Sequence, residues 1–331
     1  MTGGAVKLVF TSGRNVNHTS CGTREKTGVL MMANIDGLMM CFSNVAHLPF
    51  PERIRAARLA GCDQISMMPI EVKEEIALGT SIADMRSIAD ENGVRISRLD
   101  PLVRWTRIWR PTNMSDEYIR RIADTAIEFF DIAEKLGCQY GSLNATFPKD
   151  SMGIGELIES YAAICRRAAE RGMQCDLEFI PLWGVGDLET AWRIVAGAAA
   201  PNGGIVFDTW HYVRGGSKLD TLRKIPGALI HSVQLNDGPL RLPKDITLEK
   251  DCFRRLFPGE GEFPLTDILR VLADIGGLRQ LGAEVFNPIL KEMSTEEVAE
   301  RAAKSVATVL TRAGLTRHAN ELGQEPNYFD R

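Results

Sequence analysis

Three acids and one amide stand out because each lies at the end of a short apolar run: Glu178 in DLEFI, Asp208 in GIVFD, Gln234 in HSVQL and Glu284 in GAEVF. A carboxylate there is costly unless a cation, a proton or a hydrogen-bond donor accompanies it. Each acid taken singly could pair with an Arg or Lys. Four such groups on neighbouring runs point instead to one shared cation. Three carboxylates and an amide oxygen make a hard donor set for one divalent metal, Mn2+ or Mg2+ first, with Co2+ or Zn2+ open because imidazole is close by. His211, three residues after Asp208 in DTWH, is the candidate acid or base, or else a side chain that merely orients Asp208. His231 lies three residues before Gln234, on the opposite strand face by simple alternation. It is a second-choice ligand or a buried structural histidine.

Two further stretches offer substrate contacts. The loop PLVRWTRIWRPTN gathers Trp105, Trp109, Arg104, Arg107 and Arg110. Such a loop suits a lid over a sugar ring, an aryl group or an anion, or equally a subunit contact within a homo-oligomer. PGEGEF at 258–263 reads as a tight turn near the site, with Glu260 either touching substrate or simply part of the turn.

These residues need a scaffold that brings the ends of successive strands together. Short apolar runs alternate with helical-period segments from Ile35 onward, the pattern of βα units around a parallel sheet. Strands are expected at 36–43, 63–69, 93–101, 138–145, 174–180, 203–208, 228–235 and 281–286. Eight strands, with no glycine-rich phosphate loop after the first, favour a single closed (β/α)8 TIM barrel over a doubly wound sheet. The chemistry-bearing residues then share the C-terminal mouth. SDEYIRRIADTAIEFFDIAEKLG reads as one long helix with Ser115 as N-cap and Gly137 as its stop; Gly172 and Gly314 end later helices. Residues 1–34 show no durable periodicity and read as an extension or an overlong reading-frame start. The barrel domain spans 35–316, and 317–331 is a polar tail.

Composition narrows the function classes. With 39 basic and 43 acidic residues the net charge is −4, which gives a nucleic acid or an anionic membrane nothing to bind. Seven scattered cysteines without a CxxC pair fit neither a disulfide framework nor a thiolate zinc site, so a reducing cytoplasm is expected. No apolar stretch reaches the length of a membrane span. A small-molecule substrate is the expected partner.

At FDTWH, VQLNDG, FPGEGEFPL and AEVFNP the sequence resembles the xylose-isomerase-like barrel superfamily, which includes sugar phosphate isomerases/epimerases, inosose dehydratase and 3-dehydroshikimate dehydratase. The likeness runs over roughly residues 35–315. It implies that Glu178, Asp208, Gln234 and Glu284 hold one divalent metal and that His211 contacts substrate beside it. Many epimerases carry His where this chain has Gln234, and Gln in that slot is similar to the dehydratase branch. Endonuclease IV shares the superfamily, but its trinuclear zinc site needs more histidines than the five present here.

The implied chemistry is proton abstraction beside a carbonyl, with a metal-stabilised enediolate that partitions to isomerisation, epimerisation or β-elimination. Glu178 and Glu284 are the candidate proton-transfer groups and His211 the rival base or the acid for a departing hydroxyl. A keto-sugar, keto-cyclitol or related polyhydroxy carbonyl compound is the expected substrate. A dehydratase or lyase on an oxidised glycoside or cyclic polyol acid is the alternative, and a noncatalytic binding or partner barrel is the alternative of another class.

Overall fold

The computed structural model describes residues 31–33 and 35–317. A short parallel pair, β1 (Met31–Ala33) with β10 (Leu315–Arg317), flanks a closed parallel barrel. The barrel strands are β2 (Asp36–Met40), β3 (Gln64–Met67), β4 (Arg95–Leu102), β5 (Tyr140–Asn144), β6 (Gln174–Glu178), β7 (Gly203–Asp208), β8 (Ile230–Leu235) and β9 (Arg279–Ala283). They pair in sequence order, and β9 returns to β2 through Asp36↔Arg279 and Leu38↔Leu281. The (β/α)8 TIM barrel expected from eight apolar runs is therefore the fold. The β1–β10 pair joins the end of the expected extension to the start of the expected tail; the rest of both segments lies outside the described residues.

Long amphipathic helices cover the outside, including Phe50–Leu59, Ile154–Ala169, Leu188–Ala198, Leu265–Asp274 and Thr295–Ala313. Their apolar stripes meet strands buried on both faces, as a parallel sheet requires. The long helix expected after Ser115 is instead two, Asp116–Ile122 and Ala126–Leu136. Thr125 breaks it: its hydroxyl accepts from Glu128 N while Glu128 reaches back to Thr125 N, a capping box that starts a new helix. The neighbouring Asp124 is buried and paired with Lys73. Gly137 and Gly314 are left-handed stops with φ of 80° and 75°.

The barrel interior below the mouth is filled by an ionic layer. The Arg98 guanidinium donates to Asp176 Oδ2 at 2.6 Å, to Ser142 Oγ at 3.1 Å and to Gln280 Oε1 at 3.1 Å. His231 Nδ1 sits 2.6 Å from Asp176 Oδ1. Burial pushes the Asp176 carboxyl up, but His231 and Arg98 outweigh it and hold it below the usual range. Gly204 makes room for this layer, since a Cβ there would lie 2.3 Å from His231 Nδ1. The strand register shifts between Ile205 and Val206. Alternation counted back from Gln234 therefore does not carry through to His231, whose ring meets Asp176.

Candidate active site at the barrel mouth

Glu178 and Asp208 are the last residues of β6 and β7, and Gln234 is the register partner of Asp208 on β8. Glu284 falls one residue beyond β9, so it belongs to the following loop rather than the strand. Asn44 fixes that loop: its Nδ2 donates to Ala283 O at 2.7 Å, and its Oδ1 accepts from Val285 N at 2.9 Å. Both peptide groups beside Glu284 are thereby tied to the segment after β2. Asp208 also caps the helix Thr209–Arg214, accepting from His211 N at 2.8 Å. This short turn directs the His211 ring back over the mouth, with Nε2 3.2 Å from Glu178 Oε1.

Glu178, Asp208 and His211 each bring one donor atom within 4.8 Å of the other two, and all three are buried. Gln234 Oε1, His211 Nδ1 and Arg255 Nε, all buried at the same place, have no hydrogen-bond partner. A carboxylate pair, an imidazole and an unpartnered amide oxygen form a donor set that fits a divalent cation. Gln234 and Glu284, the other two expected ligands, adjoin this group through a shared hydrogen-bond network. Gln234 Nε2 donates to Glu284 Oε1 at 2.8 Å, and Arg255 Nη1 donates to Glu284 Oε2 at 3.0 Å and to Asp208 Oδ2 at 2.9 Å. Arg255 thus supplies positive charge to two of the three acids, while His211 stands with Glu178 and Asp208 in the compact group. His231, the second-choice ligand, lies in the ionic layer below and is not part of it.

Arg255 is 2% exposed, and its guanidinium lies 5.0 Å from the Trp210 ring centre and 4.8 Å from that of Phe286. It splits the two acids it bridges. Burial raises Asp208, but Arg255 and His211 outweigh it and keep that carboxyl below its ordinary range. Burial, then the charge of Asp208, push Glu284 well above its own. Asp100, at the end of β4, is pushed up to about 7 by burial and then by Glu178.

Above these groups opens a cavity of about 700 Å³, counted to its open mouth, which Asp100, Asn144, Glu178, His211, Arg255 and Glu284 all line. Asn144 Oδ1 is another buried acceptor without a partner. The residues expected from the Trp/Arg loop lie elsewhere. Trp105 is buried under the site, donating to Asn144 O at 3.0 Å, and Arg110 is exposed and paired with Asp116. Glu260 pairs with Arg301 outside the cavity. Sequence reasoning missed Asp100, Asn144, Tyr118, Trp183 and Arg255. The one available signal was the Arg254-Arg255 pair inside the apolar stretch CFRRLF. Among the described residues no helix is long and apolar enough to cross a membrane.

Comparison with known proteins places the chain in a family. Over 240 residues the chain is 28% identical to 3-dehydroshikimate dehydratase of Pseudomonas aeruginosa, covering 72% of this chain but only 36% of that enzyme. The chain thus spans little more than a third of that relative's length. It is 22% identical to inosose isomerase of Bacillus velezensis over 83% of this chain and 98% of the isomerase. Among solved structures, the IolI protein with a bound zinc atom superposes with a TM-score of 0.71 at 20% identity, covering 84% of this chain and 99% of that one. The family model of the xylose isomerase-like TIM barrel matches residues 54–309, and the chain belongs to that family.

Proposed function

We propose that this barrel is a divalent-metal-dependent enzyme that moves a proton beside the carbonyl of a polyhydroxy ketone, as an isomerase, an epimerase or a lyase. The observation that carries this reading is the group Glu178, Asp208 and His211 at the floor of the cavity, beside the unpartnered Gln234 Oε1. These residues would hold the cation, with Glu284 joining them if Arg255 releases it. A divalent cation held by these residues would supply Lewis acidity at the substrate carbonyl.

The chain's own residues supply the rest. Glu178 Oε1, close to His211 Nε2 and open to the cavity, takes the proton from carbon. His211, with Nε2 3.2 Å from that oxygen, orients the carboxylate, which holds the proton until it is returned to carbon. Arg255 balances the acids so that the site is not a cluster of uncompensated charge. Asn144 and Asp100 face the cavity from β5 and β4 and orient substrate hydroxyls.

One observation favours the elimination branch as a second reading. Asp100, held near pH 7, carries a proton over much of the neutral range and faces the same cavity, so it can donate to a departing hydroxyl. The dehydratase among the relatives agrees with that branch.

The test is metal content by elemental mass spectrometry, followed by exchange of the substrate α-proton with deuterated water. About one divalent ion per chain, lost in Glu178→Ala and Asp208→Ala, together with metal-dependent exchange on an α-hydroxyketone, supports the reading. A protein that takes up no divalent ion on reconstitution and exchanges no proton refutes it and leaves a binding barrel.

A further inference from the structure

The cavity has two unlike halves. The acids, His211 and Arg255 are buried at its floor, whereas the apolar lining of Met68, Met114, Ile180, Leu182, Trp183 and Phe253, with Tyr118 beside it, reaches the surface at Met68, Met114, Leu182 and Phe253 and forms its outer wall. Trp183 has its only polar atom turned away from a ligand, donating from Nε1 to Asn113 Oδ1 at 3.1 Å. Phe253 stacks edge-on against Phe286 with ring centres 6.1 Å apart, which extends the apolar surface down toward Arg255. A bare polyol filling this space would turn hydroxyls toward carbon and sulfur, losing water without gaining a partner.

Charge narrows the occupant further. Among the described residues lining the cavity, Arg255 is the one arginine or lysine; its Nη1 is shared by Asp208 and Glu284, and its buried Nε is a donor without a partner beside those acids rather than on the apolar side. The loop arginines are spent outside the cavity: Arg107 pairs with Glu156 and Arg110 with Asp116. A carboxylate or phosphate on the outer part of a substrate would meet apolar wall above a floor of acids, with no basic partner.

From these two halves we infer that the substrate is amphipathic: a hydroxyketone head on the floor and an uncharged apolar substituent, aryl or bulky alkyl, against the outer wall. This rests on the proposed hydroxyketone chemistry and names the class of compound that carries it. Rings bearing a carboxylate are thereby disfavoured.

Three probes with one head group test it on the metal-loaded full chain: hydroxyacetone, 2-hydroxyacetophenone and its 4-carboxylate derivative. Binding is measured by calorimetry and α-proton exchange by NMR in deuterated water. The expected result is that the phenyl probe binds at least tenfold more tightly than hydroxyacetone and the carboxylated probe more weakly than the phenyl one. Leu182→Lys and Met114→Lys, both at partly exposed wall positions, should each reverse the order of the two aryl probes. Hydroxyacetone and the phenyl probe binding equally, or the carboxylated probe binding most tightly to wild type, overturns the inference while metal-dependent exchange of hydroxyacetone leaves the hydroxyketone reading standing. Failure of all three probes to bind or exchange overturns both.

Discussion

Replacing Arg255 by methionine keeps most of the side-chain volume between Trp210 and Phe286 but removes the charge shared by Asp208 and Glu284. Each contact is close to 3 Å. At an effective dielectric of ~20 the gross attraction is roughly 5 kcal/mol per contact, most of it offset by the cost of burying the ions. Removing one member of such a buried set typically costs about 3–5 kcal/mol, because the remaining charges stay buried without a partner. Metal-free Arg255→Met should therefore unfold in urea with a stability lower by that amount. A divalent cation bound at the mouth replaces the missing charge, so saturating Mn2+ should stabilise the variant by at least 1 kcal/mol more than it stabilises wild type. Arg255→Lys, which keeps charge but not the planar fork, should fall between the two. A loss below about 1 kcal/mol, or equal Mn2+ stabilisation of variant and wild type, would show that Arg255 is not the counter-charge of these acids.

Other perturbations read out neighbouring parts of the design. Asp100 has its folded value raised from 3.8 to about 7, so its stabilising contribution is present below pH 4 and lost as pH rises through 7. Metal-free wild type should lose up to about 4 kcal/mol between pH 4 and 8, at about 1.4 kcal/mol per unit, and Asp100→Asn should flatten that slope in urea titrations. Asn44→Ala strips partners from Ala283 O and Val285 N, which should cost about 1–3 kcal/mol and weaken metal affinity by roughly tenfold in calorimetry as Glu284 loses its anchor. Arg98→Met leaves Asp176 buried beside His231 alone, and a loss of about 3–5 kcal/mol is expected in urea unfolding without any direct change in metal content.

What the sequence made legible was whatever depended on local pattern. The run GGIVFD occupies the whole of β7, and its terminal Asp208 stands at the mouth because parallel strands buried on both faces are apolar until they end. Glu178 followed from the same logic. The failures are non-local. Arg255 reaches Asp208 across 47 positions, and Asn44 reaches the Glu284 loop across 239 and 241, so no periodicity reports them. Trp105 and Arg110 share a loop with one another but not a destination, since one turns under the site and the other out to Asp116. The grouping of aromatic and basic letters showed composition, not direction. Helix termination at Thr125 was readable in principle, because TAIE is a capping box, but the uninterrupted apolar period on both sides concealed it.

The ionic layer of Arg98, Asp176, Gln280 and His231 has a kinetic consequence. Because it closes the barrel interior beneath the acids, the described residues leave the mouth as the way in and out of the cavity. Whatever leaves must retrace the path of whatever arrives, so a lingering product bars the next molecule rather than being pushed out ahead of it. Exchange of one bound molecule for the next should then be sequential, the first leaving before the second can enter.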